Sequence, residues 1–226
     1  MPELSELIVS EDGSHTVVHP MYQVTYHSRR GAIQESNTVF IEACLEARYS
    51  QIQNLHRELR IFEMGFGTGL NAFLTMCWAK QKKQKTCYTG VDIYLLSPEI
   101  YSMLNYSSLI GNTEEWHFLC STEWNHRHQC GEFFSFEKNL TNLEDCTYEE
   151  EFDCIFYDAF APSSQPELWS IDAAKRLFSF LQPGGICTTY CAQGQFRRNL
   201  QEAGFIVERL PGPVGKREML RATRPE

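Results

Sequence analysis

Residues 63–73 read EMGFGTGLNAF. An apolar pair, Ile61 and Phe62, comes just before them, and an apolar run of helical character follows. Gly65, Gly67 and Gly69 stand at alternate positions, so the turn between strand and helix is stripped of Cβ atoms. Such a backbone turns sharply and lets a ligand lie against its amides. The spacing that cradles a pyrophosphate is G-x-G-x-x-G, with a glycine where this chain has Leu70. The third glycine here comes one residue early. Glu63, at the end of the strand, suits a cationic ligand better than a phosphate.

Outward from this loop the chain alternates. Strands are expected over 60–64, 87–93, 133–136, 152–157, 186–191, 205–210 and 218–222, with a short one near 116–120. Helices are expected over 70–79, 98–106, 166–181 and 195–203, and one is expected to begin near Phe40 and close over 51–60. FDCIFYDAF is nearly all apolar, as a strand covered on both faces should be. Pro183-Gly184-Gly185 reads as a helix stop and turn. Alternating strands and helices imply a parallel sheet with helical crossovers. PGPVGKR is too short for a crossover, so the last two strands should pair antiparallel. That layout is the class I methyltransferase, Rossmann-like α/β fold. Before it, TVVHPMYQVTYHSRRGAIQESNTVFIEA is rich in β-branched and aromatic residues and reads as an N-terminal β-hairpin or small sheet. The division expected is an extension over 1–50 and a methyltransferase domain over 51–226.

Composition narrows the class. The chain has 226 residues, 42% of them hydrophobic, and no run long and apolar enough to span a membrane. The N-terminus is acidic and polar, unlike a secretory signal. Nine cysteines without a CxxC pair suggest buried thiols in a reducing cytoplasm rather than a disulfide framework. A zinc site is the lesser alternative, and no metal is expected. The net charge of −9 disfavours indiscriminate nucleic-acid binding. From Gln195 onward, however, seven bases face four acids. Either this is a solvated face or it meets phosphates.

Asp92 ends the second strand in YTGVDIY, about twenty residues past the loop, where a carboxylate can accept from ribose hydroxyls. A helix-capping aspartate is the plainer alternative. Asp158 ends the most buried strand and opens YDAFAPSSQPELW, residues 157–169, so it points into the same crevice. A carboxylate followed by a proline-containing turn can accept from an acceptor amine while an aromatic ring packs alongside. An Asp of ordinary pKa, about 3.9, cannot efficiently deprotonate an alkylammonium. Asp158 is therefore read as orienting and charge-stabilising, with a capping or solvated Asp as the alternative.

EMGFGTGLNAF, YDAFAPSSQPELW, TYCAQGQFRRNLQEAGF and PGPVGKREML, in this order, resemble the methyltransferase domain that completes 5-methylaminomethyl-2-thiouridine in tRNA. The similarity runs from about Tyr22 to Ala222. It implies S-adenosyl-L-methionine as cofactor, the tRNA anticodon loop as partner, and methylation of 5-aminomethyl-2-thiouridine at the wobble position. In the family an FAD-dependent oxidoreductase is often fused after this domain. This chain ends at Glu226, so the expected form is the stand-alone one, served by a separate oxidoreductase or other upstream enzymes.

By resemblance the cofactor contacts fall at Glu63, Gly65, Gly67, Gly69, Asp92 and Asp158. The acceptor amine falls near Asp158, Phe160 and Pro162. Tyr26 matches a tyrosine that would close over the amine, and a core aromatic is its alternative. Gln193 lines the acceptor side, and Arg197, Arg198, Lys216 and Arg217 fit phosphate-facing segments. Where the family carries a Gly-Asp pair for adenine, this chain reads Phe136-Glu137-Lys138, with Glu137 the nearest acid. The rival readings are an NAD-dependent oxidoreductase, a non-catalytic tRNA-binding module and a methyltransferase for a small polyamine.

Overall fold

The computed structural model describes residues 6–149 and 151–226. The chain opens with β1 (Leu7–Val9) and β2 (His15–Val17), a small antiparallel sheet. α1 (Ala32–Ser36), a π-helical stretch (Asn37–Glu46) and α2 (Ala47–Ile52) then run on without a break. The main body follows as β3 (Leu59–Met64), α3 (Leu70–Lys82), β4 (Thr86–Asp92), α4 (Pro98–Met103), α5 (Tyr106–Ile110) and α6 (Thr113–Ser121). Next come β5 (Arg127–Cys130), β6 (Phe134–Leu140), β7 (Phe152–Tyr157), α7 (Ile171–Phe180) and β8 (Leu181–Thr189). α8 (Gly194–Glu202), β9 (Ile206–Pro211) and β10 (Glu218–Thr223) close it.

The main sheet has eight strands in the order β5-β6-β4-β3-β7-β8-β10-β9. The run from β6 to β8 is parallel, and β10 sits antiparallel between β8 and β9. This is the expected methyltransferase arrangement, terminal hairpin included. The chain leaves β3 toward β4 on one side and returns on the other side as β7. The carboxyl ends of these strands therefore flank a topological switch point, where open α/β sheets hold ligands.

Both faces of the sheet are covered. On one, Phe40, Phe73, Trp116 and Phe156 pack among the N-terminal helix, α3 and α6. On the other, Phe62, Leu177, Leu200 and Phe196 pack under α7 and α8. Every residue of β4 and β7 is buried, which explains why FDCIFY lacks polar alternation.

Several sequence expectations are corrected. The N-terminal hairpin lies earlier than expected, at 7–17, and 32–52 is helix. Its buried residues Ala32, Glu35, Ser36, Val39, Phe40, Ala43 and Cys44 recur at helical spacing, and that period outweighs the β-branched content. Trp116–Cys120 is not a strand but part of α6. Glu114 and Glu115 favour the positive end of that helix, and Trp116 and Leu119 share its buried side. The strand β5 is a polar edge, antiparallel to β6, with no apolar run to announce it. Pro183-Gly184-Gly185 lies within β8, beside an irregular register with β7, rather than in a turn. The helix expected over 98–106 breaks between α4 and α5, and that over 166–181 begins as a 3-10 turn, Pro166–Trp169.

Asp153 ties the amino ends of these elements together. Its carboxylate, fully buried, accepts from Arg57 at 2.8 and 2.5 Å and from the Arg60 N–H at 3.0 Å, with Gln182 also donating and Arg48 at 3.6 Å. Removing one partner of a buried ion pair leaves the other charge uncompensated. Asp153→Ala should cost about 3–5 kcal/mol in urea unfolding. A loss below about 1 kcal/mol would assign the network no more weight than a surface ion pair.

Candidate active site

The strand ends position the pocket. Gly65 N–H and Phe66 N–H both donate to Val91 O at the end of β4, at 2.9 and 3.1 Å. Asp158 N–H donates to Met64 O at 2.9 Å, closing β7 onto β3. Gly65 has φ +94°, and a Cβ there would lie 2.5 Å from the Asp158 carbonyl oxygen. Gly67 has φ +49°, and a Cβ there would lie 2.8 Å from the Tyr26 ring. The loop is thus bare because backbone presses on one glycine and an aromatic ring on the next. Gly69 faces away, as the N-cap of α3 against Leu119 and Phe66.

Asp92 fastens the loop. Its two oxygens accept from Gly67 N–H at 2.8 Å and Tyr94 N–H at 2.9 Å. Glu63 is fully buried on β3. Asn71, in the first turn of α3, donates to Glu63 Oε1 at 2.8 Å and to Asp158 Oδ2 at 2.9 Å. Asn71 was not singled out from sequence, although it is a polar residue inside the apolar run GLNAFL. Glu63 Oε2 is buried without a hydrogen bond, and Tyr88 approaches it without reaching hydrogen-bond geometry.

Three carboxyl groups therefore converge here, and among the described residues no Lys or Arg forms an ion pair with any of them. Burial pushes Asp158 up to about 7, with the charge of Glu35 adding to it. Burial also lifts Asp92 to about 6, against the pull of backbone donors at Tyr94, Gly67 and Ile93, and holds Glu63 well above the carboxylate range. The site is short of positive charge. A sulfonium and an α-ammonium supply what it lacks, and the orphaned Glu63 oxygen is a ready acceptor for the latter. S-adenosyl-L-methionine fits this chemistry. A dinucleotide pyrophosphate would bring negative charge into the same acids.

Aromatic rings roof the pocket. Phe160 lies 5.0 Å from Tyr26, 5.1 Å from His19 and 5.4 Å from Tyr22, between ring centres. Tyr22 and Tyr94 join hydroxyls at 2.8 Å, linking the N-terminal segment to the loop after β4. Burial raises the Tyr26 hydroxyl far above its usual pKa, so it stays protonated. His27 is pushed down to about 4 by burial and pairs with the Thr68 hydroxyl at 2.6 Å. Phe160 N–H donates to Gln165 Oε1 at 2.9 Å, which fixes the turn that carries Pro162. His19, His27, Tyr94 and Gln165 had no motif to announce them, because they come together only in the fold.

Of the remaining expected residues, Gln193 is an exposed cap of α8, and Arg197 and Arg198 lie on that helix, bonded to Gln201 and Gln195. Lys216 is not free. Its ammonium pairs with buried Glu35 and sits 3.7 Å over the Tyr190 ring, whose hydroxyl donates to Ala159 O at 2.9 Å. Arg217 is exposed. Glu137, on β6, accepts from Thr89 at 3.3 Å and lies 3.7 Å from Arg127.

The raised carboxyls carry a stability consequence. Asp158 binds its proton more tightly folded than unfolded, so the folded state holds more protons above about pH 4 and stability falls as pH rises toward about 7. His27 acts oppositely, costing stability as pH falls below its unfolded value. Comparing the ligand-free protein with Asp158→Asn cancels the His27 contribution. The variant should melt higher than the parent at about pH 8, by a margin that shrinks toward about pH 5. A margin independent of pH in scanning calorimetry would show that Asp158 keeps an ordinary pKa.

Known proteins add two kinds of likeness. A family model described as an S-adenosyl-L-methionine-dependent methyltransferase matches residues 132–225. The tRNA 5-methylaminomethyl-2-thiouridine biosynthesis bifunctional proteins MnmC of Burkholderia multivorans and Burkholderia thailandensis are each 30% identical over 95% of this chain. The chain spans 34% of the length of either. A crystal structure of MNMC2 from Aquifex aeolicus superposes with a TM-score of 0.77 at 26% identity, covering 100% of this chain and 74% of that one. The strand order, the acid-lined glycine loop and these matches agree on a methyltransferase-type α/β fold, and residues 132–225 resemble the S-adenosyl-L-methionine-dependent methyltransferase family.

Proposed function

We propose that this chain methylates the primary amine of 5-aminomethyl-2-thiouridine at the wobble position of tRNA, giving 5-methylaminomethyl-2-thiouridine. The observation that carries the reading is Asp158, a carboxylate of raised proton affinity beside an uncompensated acid cluster. The names of the two Burkholderia relatives support the choice of nucleoside. Bound S-adenosyl-L-methionine supplies an electrophilic methyl carbon on a sulfonium.

The protein's own residues do the rest. Glu63, Asp92 and the Gly65–Gly67 backbone hold the cationic cofactor. Asp158 has the harder task, because an alkylammonium has no lone pair to donate. With a pKa of about 7, its carboxylate oxygen takes up the amine proton far better than an ordinary aspartate can. This extends the purely orienting role that an unperturbed aspartate would have. Asn71 fixes that carboxylate by donating to it, and Phe160 with Pro162 frames the acceptor. Tyr26 closes over the pocket as a ring and cannot act as a base, since its hydroxyl remains protonated. Lys216 neutralises Glu35 and so restrains the rise at Asp158.

We further assign the chain to the cytoplasm, where its nine thiols stay reduced, with the tRNA anticodon loop as partner. A separate oxidoreductase or another upstream enzyme would supply the aminomethyl group. No described helix is long and apolar enough to cross a membrane. In this reading the N-terminal segment over 1–50 completes a methyltransferase domain over 51–226.

The deciding experiment incubates the protein and methyl-labelled S-adenosyl-L-methionine with tRNA carrying the aminomethyl nucleoside and with spermidine, followed by mass spectrometry of nucleosides and polyamines. Label should appear in 5-methylaminomethyl-2-thiouridine. Label in spermidine alone would favour the polyamine reading. At low S-adenosyl-L-methionine, kcat/KM for the cofactor should rise with pH through about 7, as Asp158 of the free protein loses its proton. Asp158→Asn should lower kcat by about 10²–10⁴ while calorimetric cofactor affinity changes little. Equal losses in turnover and cofactor affinity would make Asp158 a binding group only. Gly65→Val should abolish cofactor binding, since its side chain meets backbone rather than a movable side chain.

A further inference from the structure

Two loops from opposite ends of the chain meet beside the pocket. One is Ser28-Arg29-Arg30-Gly31, directly after His27. The other is Gly212-Pro213-Val214-Gly215-Lys216-Arg217, between β9 and β10. Gly215 packs so closely on Arg30 that a Cβ would lie 2.8 Å from Arg30 Cγ. Val214 N–H donates to Gln34 Oε1 at 3.3 Å, and Lys216 pairs with Glu35. The loops are one surface, with four bases and no acid.

Two of those charges are neutralised within the protein. Arg30 pairs with Glu11 at 2.5 Å, and Lys216 with Glu35. Arg29 and Arg217 are exposed, and neither side chain has an ion pair or hydrogen bond among the described residues. On a chain of net charge −9, two uncompensated guanidinium groups beside a pocket are not a background effect. The surface reaches the acceptor side through Lys216, Tyr190 and the Ala159 carbonyl, adjacent to Asp158. The opposite flank is apolar, with Met21 68% and Leu95 55% exposed next to the tyrosine pair of the roof. Single-stranded RNA is held by this combination, cationic groups along its backbone and apolar or aromatic surfaces under its bases.

Resting on the RNA acceptor argued above, we infer that Arg29 and Arg217 form a two-point clamp for the phosphates flanking the base that enters the pocket. The clamp is built jointly by the N-terminal extension and the terminal hairpin. The apolar flank then receives a neighbouring base.

The test measures binding of a fluorescent, unmodified anticodon stem-loop RNA by anisotropy at several salt concentrations between about 50 and 200 mM. Each phosphate contact in single-stranded RNA contributes about 0.7 to the slope of log Kd against log salt. Arg29→Gln/Arg217→Gln should lower that slope by about 1.4 and leave S-adenosyl-L-methionine affinity unchanged. Lys85→Gln, at an exposed lysine just before the amino end of β4 and so away from the strands' carboxyl ends, should keep the parental slope. A double variant with the parental slope and affinity overturns the clamp, as does an equal loss in Lys85→Gln. Because the probe carries no aminomethyl group, the clamp is read independently of methyl transfer. The expected loss of slope in the double variant, together with a parent that methylates no aminomethyl tRNA, would uphold the clamp and sink the proposed substrate.

Discussion

Negative charge is expensive where water is scarce, and this fold gathers it at one place. Glu63, Asp92 and Asp158 end three adjacent strands of the sheet, two of them deeply buried, and among the described residues no Lys or Arg forms an ion pair with them. A buried carboxylate either finds a cation or keeps its proton. Most of the surrounding structure accommodates that choice. Asn71 bridges two of the acids, backbone donors steady the third, and bare glycines leave room for a positively charged guest. An acid cluster of this kind gives up stability at neutral pH in exchange for a site that attracts sulfonium chemistry.

The opposite edge of the same sheet shows the contrast. Asp153 is also fully buried, yet two arginines and a glutamine surround it. One sheet thus carries a satisfied carboxylate at its amino edge and unsatisfied ones at its carboxyl edge. The first holds the layers together, and the second group is left open for a ligand.

How far this was legible in the chain depends on how local each signal is. The glycine loop, the nearly all-apolar β7 and the short PGPVGKR connection each lie within a dozen residues, and they suffice for the parallel sheet, its terminal antiparallel hairpin and the switch point. The expected helix starts too late, near Phe40 rather than Ala32, because Thr38 and Val39 favour strands, whereas burial spacing, visible only against a core, favours helix. β5 escaped notice because an edge strand facing solvent needs no apolar residues. Around the pocket, Glu63, Asp92 and Asp158 could be found because each ends a recognisable strand. Asn71, His27, Gln165 and the tyrosine pair were invisible, since their meaning lies in contacts across long stretches of sequence. The raised proton affinity of Asp158 is likewise a property of its surroundings, and no inspection of YDAF alone reveals it.

The roof over the pocket does not belong to the sheet. His19, Tyr22 and Tyr26 hang from a segment whose regular structure, among the described residues, is a ribbon of two three-residue strands, latched to the body by paired tyrosine hydroxyls. So small a ribbon has little stability of its own and opens at lower cost than the strands beneath it. Of the walls around the pocket, this roof is the one that local opening would release first, ahead of the sheet beneath it.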